Sequence, residues 1–251
     1  MDLGLADRVY VLTGASRGLG FATAQALVAD GAKVVVSSRS QGAVDDAVAR
    51  LGAGAAGVAA DLTDPGTAGL LLRTATERFG RFDGALISVG GPGPGTAAEK
   101  TDEQWREAFE TIFLGSVRAA RTFADALTGG GAIGFVLSTS SRTPIPGLGL
   151  SNGLRPGLAG VAKDMADQYG HRGVRVLSLL PGRVLTDRNR ELFAATGDPE
   201  KAAADAAAAI PLGRLGEPEE FGRVAAFLLS PAAGYLTGIS VPVDGGALRT
   251  L

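Results

Sequence analysis

Three glycines near the N-terminus form the strongest chemical motif of the sequence. They belong to a segment that follows the first predicted strand and opens the first predicted helix, Thr13-Gly14-Ala15-Ser16-Arg17-Gly18-Leu19-Gly20. Glycines at this spacing permit a tight turn and let the backbone approach a pyrophosphate, whose charge the helix N-terminus stabilises. A glycine-rich connection without a ligand is the alternative, and the position after the first strand disfavours it.

The end of the second predicted strand indicates which dinucleotide this loop would hold. An acidic residue there would bind the adenosine 2′-hydroxyl and repel a 2′-phosphate. The chain instead has Ser37, Ser38 and Arg39, and Arg17 stands within the glycine loop. Because guanidinium groups form bidentate bonds with phosphates, we expect NADP. Two solvated surface arginines are the alternative.

Short aliphatic runs alternate with segments of helical periodicity along the chain. The predicted strands are residues 9–13, 33–38, 55–60, 84–88, 134–138, 175–180 and 240–243. The predicted helices are residues 19–29, 43–51, 66–79, 102–127, 153–169 and 217–229. Strands that are apolar on both faces, each followed by a helix, predict a parallel sheet covered on both sides. The expected fold class is α/β, a doubly wound (Rossmann) seven-stranded parallel sheet with helices on both faces.

The chain is expected to form a single domain over residues 1–251. An Ala-rich stretch at residues 194–209 interrupts the alternation of strands and helices. Gly-Asp-Pro at residues 197–199 stands near its start and Pro211 just after its end, and the stretch predicts a helical insertion. We expect this insertion to belong to a substrate lid at about residues 184–211.

Composition narrows the classes of function. The net charge is −2 with interspersed signs, so no basic surface for nucleic acid is expected. The N-terminal segment has neither a charged leader nor a long apolar run, which argues against a signal peptide or membrane span. The sequence has no cysteine, which excludes disulfides, thiol catalysis and thiolate metal sites. A cytoplasmic location fits, and no metal is expected.

Four motifs together resemble the short-chain dehydrogenase/reductase family. They are the glycine motif, Asp61-Leu62 after the third strand, Pro181-Gly182 after the sixth, and Val243-Asp244-Gly245-Gly246 near the C-terminus. The segment PLGRLGEPEE at residues 211–220 is similar to the 3-oxoacyl-carrier-protein reductase type. The similarity spans about residues 5–247.

This resemblance implies where an NADP molecule would lie. The diphosphate would be lined by Gly14, Gly18 and Gly20, the adenine flanked by Asp61 and Leu62, the adenosine ribose near Gly90, and the nicotinamide carboxamide within reach of Thr186. Further cofactor contacts are expected from Ser16, Arg17, Leu19, Ser38, Arg39, Arg155, Pro181 and Gly182.

The expected catalytic positions depart from the family pattern. The family places a Ser at the end of the fifth strand, a Tyr thirteen residues later, a Lys four residues after that, and an Asn on the preceding long helix. Here Ser138 keeps the Ser position, while Ser151 stands at the Tyr position and Arg155 at the Lys position. Ile112 falls where the Asn belongs.

These changes have separable chemical consequences. A serine hydroxyl is shorter than a phenol and does not titrate near neutral pH, so Ser151 is a poor proton donor. Arg155 keeps the positive charge but cannot release a proton. It could bond the nicotinamide ribose or stabilise a developing oxyanion. Ser138 could hydrogen-bond a carbonyl, or merely satisfy a turn at the strand end. The family's proton relay is therefore expected to be absent or rebuilt.

No other residue is an evident replacement for the missing acid. His171 and Tyr169 follow the predicted 153–169 helix at its far end, so both are expected to be structural or surface residues. Ser141, Arg142 and Asn152 lie closer to the expected pocket, but none is a natural general acid at pH 7.

Two loops predict the character of the substrate site. Residues 88–95 read SVGGPGPG, and residues 142–148 read RTPIPGL. Both are poor in polar side chains, and proline and glycine shape their backbones. Such walls suit an aliphatic or aromatic ligand, although ordinary connecting loops would read the same way.

The functional expectation is an NADP-dependent oxidoreductase that acts on a small carbonyl or alcohol substrate, with Ser138 and Arg155 polarising the carbonyl. A catalytically impaired NADP-binding member, acting as a sensor or assembly partner, is the alternative, and a non-redox reaction on the same scaffold is a third interpretation. Apolar residues beyond a single core stripe on the two long helices predict a homotetramer. These residues are Phe109, Phe113, Leu158, Val161 and Met165.

Overall fold

A computed structural model describes residues 2–194 and 196–250 of the chain. Its strands are β1 (Val9–Leu12), β2 (Lys33–Ser38), β3 (Ala55–Ala59), β4 (Gly84–Ile87), β5 (Gly131–Val136), β6 (Val174–Pro181) and β7 (Ser240–Val243). They form one sheet in the order β3-β2-β1-β4-β5-β6-β7, and every neighbouring pair is parallel. The predicted fold class is confirmed. Successive strands are added toward one edge of the sheet from β1 to β3 and toward the other edge from β4 onward. The point between β1 and β4 where this order reverses is where α/β sheets bind their ligands.

The helices cover both faces of this sheet. They are α1 (Gly18–Ala29), α2 (Gln41–Leu51), α3 (Thr67–Phe79), α4 (Asp102–Ala108), α5 (Gly115–Ala126), α6 (Gly149–Tyr169), α7 (Asp187–Ala194), α8 (Pro199–Ala208) and α9 (Pro218–Leu229). One apolar layer joins the sheet to α3, α5 and α6, and the other joins it to α1, α2 and α9. Along β1, Val9 and Val11 enter the first layer while Tyr10 and Leu12 enter the second, as expected for a strand buried on both sides.

Several element boundaries differ from the prediction. Strand β5 begins at Gly131, three residues before the predicted start. Gly131 and Gly134 weaken the aliphatic pattern on which the prediction rests, yet both residues pair with β6. Helix α6 begins at Gly149, four residues before the predicted start. The expected continuous helix over residues 102–127 contains a π-helical segment, Phe109–Leu114, between α4 and α5.

The Ala-rich stretch contains helix α8, and a second helix, α7, precedes it within the expected lid segment. Helix α8 begins at Pro199, with Asp198 as its N-cap, so the break follows the Gly-Asp-Pro sequence. Residue 195, which the predicted stretch includes, lies outside the described residues. Within the described part of the chain, no helix is both long enough and apolar enough to cross a membrane.

The apolar residues expected to form an assembly surface divide into two groups. Leu158 and Met165 are buried in the core layer beneath α6, so their assignment to an exposed surface was wrong. Phe109 is 43% exposed, and its ring stacks on that of Phe113 at a centroid distance of 5.2 Å. Val161 is partly buried against the core. The helical periodicity alone did not separate the buried residues of α6 from the apolar residues outside the core.

Candidate active site

Two adjoining clefts open at the carboxyl ends of the strands, beside the β1–β4 reversal. The larger has a volume of about 640 Å³ and reaches from the glycine loop to α7; we call it the lid-side cleft. The smaller, of about 490 Å³, reaches from the glycine loop to the end of β2; we call it the β2-side cleft. Gly14, Arg17 and Gly90 line both. The two clefts therefore form one continuous groove across the sheet edge.

The glycine loop requires its glycines for conformational and steric reasons. Gly14 and Gly18 have φ values of 56° and 58°, in the left-handed region that favours glycine. A Cβ on Gly14 would lie 2.5 Å from the carbonyl oxygen of Ser88. Thr13 fixes this approach, because its Oγ1 donates to the Ser88 carbonyl oxygen at 2.9 Å and accepts from the Ser88 N–H at 3.0 Å. The loop after β1 is thereby joined to the loop after β4, and its backbone borders the groove.

The residues predicted to select the dinucleotide meet in the β2-side cleft. Ser38, Arg39, Ser16 and Arg17 all line it. Arg39 is exposed at the end of β2, and the Arg17 side chain is 67% exposed. Arg17 Nη1 also lies 3.7 Å from Glu191 Oε1 on α7, so this ion pair crosses the mouth of the groove. Two arginines thus border one cleft wall without an acidic residue at the end of β2.

The expected adenine-flanking residues line the far part of the same cleft. Asp61 and Leu62 follow β3, and Asp61 Oδ1 accepts hydrogen bonds from the Thr63 N–H and Oγ1, both at 2.9 Å. Ile112, in the π-helical segment, also lines this cleft and is buried. Ser116 Oγ donates to the Ile112 carbonyl oxygen at 2.6 Å. The π-helical segment places the apolar side chain of Ile112 beside the groove, at the position where the family resemblance implies an Asn.

Ser138, Ser151 and Arg155 lie together on the lid-side cleft. Ser138 follows the end of β5, and its Oγ accepts from the Ser140 N–H at 3.1 Å. Ser151 and Arg155 share one face of α6 because they are four residues apart. Each is only 5% exposed. We call this group of three the cleft floor.

Two hydrogen bonds hold the cleft floor in place. The Ser151 and Ser140 hydroxyl oxygens lie 3.0 Å apart in a buried contact. Arg155 Nη1 donates to the carbonyl oxygen of Val136, the last residue of β5, at 2.9 Å. Buried polar groups need such partners, since an unmade hydrogen bond costs about 1–3 kcal/mol. The end of β5 thus orients both polar residues of α6.

Glycines and one asparagine set the position of α6. Asn152 accepts from the Ile145 N–H at 3.0 Å and donates to the Ile145 carbonyl oxygen at 2.9 Å, which fixes the loop entering the helix. A Cβ on Gly149 would collide with the backbone of Ala97, and one on Gly153 would lie 2.7 Å from the Trp105 ring. Close packing at these glycines brings the first turns of α6 to the groove.

The two proline-rich loops are pinned to each other. The Gly95 N–H donates to the Gly147 carbonyl oxygen at 2.7 Å, and the Gly149 N–H donates to the Gly95 carbonyl oxygen at 2.9 Å. The loop after β4 and the loop before α6 therefore form a joined rim over the lid-side cleft. The apolar side chains that line this cleft are Leu19, Val89, Pro92, Val136, Leu137, Leu148, Pro181, Val184 and Leu192.

Few titratable side chains reach the lid-side cleft. Of the described residues that line it, the charged ones are Arg17, Arg155, Asp187 and Glu191, and none is a His, Lys or Tyr. Both carboxylates are on the exposed helix α7. Arg cannot act as a proton donor at neutral pH. The cleft floor thus presents a fixed cation and hydroxyl groups without a side chain suited to general acid catalysis.

The sole His and the Tyr at the end of α6 lie away from the groove, as predicted. Tyr169 donates its hydroxyl to Asp125 Oδ1 at 2.9 Å. Burial, with a contribution from the Asp125 hydrogen bond, raises the pKa of Tyr169. His171 is exposed in the turn after α6. Ser141 and Arg142, considered as nearby candidates, are also absent from the described lining of either cleft.

All seventeen sequence-predicted site residues line one or both clefts. The sequence analysis did not identify some residues that line the groove or support those that do. Ser140 supports Ser151 from behind, and its signal was only its position two residues after Ser138. Asp187, Asn189 and Glu191 come from α7, and Lys100, Gln104, Glu107 and Thr111 come from the region of α4. No group of three His, Asp or Glu side chains suited to a metal ion occurs among the residues the structure describes.

Sequence comparison provides a close match over nearly the whole chain. The family model described as Enoyl-(Acyl carrier protein) reductase matches residues 14–247. The 3-oxoacyl-acyl-carrier-protein reductase of Vibrio cholerae is 30% identical over 247 residues, covering 97% of this chain and 98% of that protein. The match therefore includes the glycine loop, the cleft floor and the lid helices.

Two solved structures are similar over their full lengths. The L-sorbose reductase of Gluconobacter frateurii, solved with NADPH and L-sorbose, is 28% identical with a TM-score of 0.95, and the match covers 100% of both chains. A short-chain oxidoreductase of Pseudomonas aeruginosa, described as containing an atypical catalytic centre, is 31% identical with a TM-score of 0.92, again over 100% of both chains.

Proposed function

Because the chain belongs to the short-chain dehydrogenase/reductase family, we propose that it is an NADP-dependent oxidoreductase that interconverts a carbonyl and a hydroxyl group on a small molecule. The observation that carries this proposal is the continuity of the groove. The glycine loop after β1 and the cleft floor at Ser138, Ser151 and Arg155 border the same lid-side cleft. A dinucleotide held by the loop would present its reactive end to the floor.

The preference for NADP rests on Arg17, Ser38 and Arg39. These residues border the β2-side cleft, and a 2′-phosphate there would receive charge-assisted hydrogen bonds. An acidic side chain, which would repel that phosphate, does not occur at this strand end. The NADPH bound to the L-sorbose reductase supports the same cofactor. When bound, NADP supplies the hydride-transfer chemistry, and this chain's residues orient it.

The remaining cofactor contacts follow the groove. Residues proposed to hold the diphosphate and ribose groups are Gly14, Ser16, Gly18, Leu19, Gly20, Gly90 and Arg155; those proposed for the adenine are Asp61 and Leu62, and those for the nicotinamide are Pro181, Gly182 and Thr186. All of them line the clefts, so each has access to a molecule lying there.

The proposed chemistry relies on polarisation and proximity. Ser138 would donate a hydrogen bond to the substrate carbonyl, and Arg155 would stabilise negative charge as it develops on that oxygen. Ser151 and Arg155 are proposed to replace the Tyr and Lys of the family, so that no side chain of the floor delivers a proton. General acid catalysis typically contributes about 10²–10⁴-fold, and its loss leaves the rate gain from positioning. The atypical centre described for the Pseudomonas oxidoreductase supports a variant floor.

We also include the organisation of the molecule in this proposal. Residues 1–251 act as one domain, and residues 184–211, which contain α7 and α8, cover the substrate. Assembly as a homotetramer would cover the exposed Phe109–Phe113 stack. A chain without cysteine fits a cytoplasmic location.

The direct test is consumption of NADPH with a panel of ketones and aldehydes that includes L-sorbose. We expect slow turnover by the natural chain with at least one carbonyl. The double variant Ser151→Tyr/Arg155→Lys, which rebuilds the family pair, provides the comparison. NADPH binding without turnover of any carbonyl by either protein would reject the oxidoreductase assignment.

A further inference from the structure

The cleft floor lacks a proton source that carbonyl reduction requires. Hydride addition to a carbonyl carbon leaves an alkoxide, which must gain a proton. Ser138 and Ser151 carry hydroxyls that do not titrate near neutral pH, and Arg155 does not release its proton. The two carboxylates of the lid-side cleft lie on exposed helix α7, and Glu191 pairs there with Arg17. No group of the floor therefore supplies this proton, and a hydroxyl of the substrate is one source within reach of the alkoxide.

The floor instead presents a fixed positive charge beside fixed hydroxyl groups. Ser151 is held by Ser140 with a 3.0 Å hydroxyl contact, and Arg155 is fixed to the end of β5 by its bond to Val136. Both side chains are nearly buried, yet both line the cleft. A guanidinium in a low-dielectric wall stabilises an adjacent oxyanion and so lowers the pKa of the corresponding hydroxyl.

The space above the floor has apolar walls. Residue 151 is a serine, so the volume that a larger side chain would occupy belongs to the lid-side cleft. That cleft, at about 640 Å³, is within the range of small-molecule sites. Val89 and Pro92 from one pinned loop and Leu148 from the other provide apolar walls. An aromatic ring or planar enol would fit between these walls and place its oxygen atoms at the polar floor.

We infer that the substrate is a ketone carrying an acidic phenol or enol hydroxyl next to the carbonyl, and that this hydroxyl, seated at Ser151 and Arg155, is the proton donor. The inference rests on the proposed function. The carbonyl carbon would gain a hydride, the chemistry that NADPH supplies when bound, and the carbonyl π pair would become the alkoxide pair. The substrate O–H bond breaks, its proton passes to the alkoxide oxygen, and Arg155 stabilises the remaining oxyanion. That oxyanion regains a proton from water on release.

The charge of Arg155 gives the substrate hydroxyl the acidity that the reaction needs. An ordinary phenol has a pKa of about 10, and a general acid works best with a pKa near the working pH. Placing the phenol beside a permanent cation moves its pKa in that direction. The site thus replaces a protein acid with an acid that arrives with the substrate.

The binding test uses ortho-hydroxyacetophenone and the protein without cofactor. Phenol and phenolate absorb at different wavelengths, so a pH titration of the bound ligand reports its pKa. We expect this value to lie at least about one unit below that of the free ligand. Arg155→Ala should abolish the shift and Arg155→Lys should keep part of it. Arg142→Ala, which changes an exposed arginine outside the cleft lining, is the matched control and should retain the whole shift.

The turnover test compares ortho-hydroxyacetophenone with its para isomer, whose hydroxyl is too far from the carbonyl to share the floor. We expect at least about a tenfold higher kcat/KM for the ortho isomer, corresponding to one hydrogen bond to a charged group. The kcat should fall as pH rises above the pKa of the bound hydroxyl, because the bound phenolate has no proton to donate.

The outcomes separate this inference from the function on which it rests. Equal reduction of both isomers, or an unshifted pKa in the natural chain, would overturn the substrate-donor role and leave the oxidoreductase assignment standing. A shifted pKa with no NADPH consumption by any carbonyl would reject the oxidoreductase assignment and the proton-donor role together. A shifted pKa with ortho-selective turnover would support both.

Discussion

The Arg155 guanidinium donates to the carbonyl oxygen of Val136 at 2.9 Å, which ties helix α6 to the end of strand β5. Arg155 is 5% exposed and borders the lid-side cleft beside Ser138 and Ser151. This bond fixes a permanent positive charge at one point of the cleft floor. Preorganised charge of this kind stabilises a transition state without reorganisation during the reaction. The proposed reaction depends on the charge of Arg155 more than on Ser138 or Ser151.

Replacing Arg155 should therefore cost more activity than replacing Ser151. Arg155→Ala should raise the activation free energy that sets kcat/KM, or weaken the free energy of NADPH binding, by about 1.5–3 kcal/mol. This is the contribution of a hydrogen bond to a charged group. Ser151→Ala should change turnover little, because Ser151 is not the proton donor. Steady-state kinetics and calorimetry measure both effects, with thermal unfolding as the control for folding. A larger loss in Ser151→Ala than in Arg155→Ala would reverse the assigned roles.

Cofactor selection should depend on the two arginines of the β2-side cleft. The natural chain should bind NADPH at least about tenfold more tightly than NADH, because each desolvated arginine–phosphate contact contributes about 1.5–3 kcal/mol. Arg39→Ala should weaken NADPH binding by a similar factor and leave NADH binding nearly unchanged. Calorimetric titration measures the four affinities. Equal weakening for both cofactors would show that Arg39 does not contact the 2′-phosphate.

Low pH should weaken the ion pair between Glu220 and Arg214 at the start of α9. Glu220 accepts two hydrogen bonds from Arg214, at 2.7 and 2.8 Å, and one from the Glu217 N–H, and these contacts lower its pKa from 4.5 to about 2. A lowered pKa means stability that is present above pH 4.5 and is lost as pH falls toward 2. Glu220→Gln should lower Tm by about 1–3 °C at pH 7, because the pair is partly exposed. The difference from the natural chain should shrink below pH 4.5; a constant difference would contradict the assignment.

The exposed aromatic stack should mark an assembly surface. Phe109 and Phe113 stack at 5.2 Å on the π-helical segment, and Phe109 remains 43% exposed. Burial of such a pair between copies of the chain would remove apolar area from water. We expect a tetramer by light scattering at micromolar concentration, and a smaller assembly for Phe109→Glu with unchanged circular dichroism. A monomeric mass for the natural chain would be incompatible with this surface.

The parts of the fold predicted from sequence are those fixed by local patterns. The glycine loop was identifiable because Gly14 and Gly18 occupy left-handed backbone positions beside a strand that is apolar on both faces. The start of α6 was missed because Gly149 and Gly153 have low helix propensity, whereas tertiary packing against Ala97 and Trp105 favours glycine there. Tertiary contacts overrode local preference at this position.

The site was predictable where its residues follow strand ends and not where its contacts are long-range. Ser138, Asp61 and Thr186 follow strands β5, β3 and β6, whose carboxyl ends meet at one edge of the sheet. The pairing of Ser140 with Ser151 depends on how the loop after β5 folds back on α6. The ion pair between Arg17 and Glu191 depends on the course of the lid. Neither arrangement has a periodic or motif pattern.

Isotope transfer tests directly whether the chain catalyses hydride transfer from NADPH to a carbonyl. NADPH carrying deuterium at the transferable position is incubated with the natural chain and the carbonyl panel, and the products are examined by mass spectrometry and NMR. We expect the natural chain to form an alcohol with deuterium on the former carbonyl carbon, and Arg155→Ala to form it about tenfold or more slowly. Tight NADPH binding with no deuterium in any product would contradict this expectation.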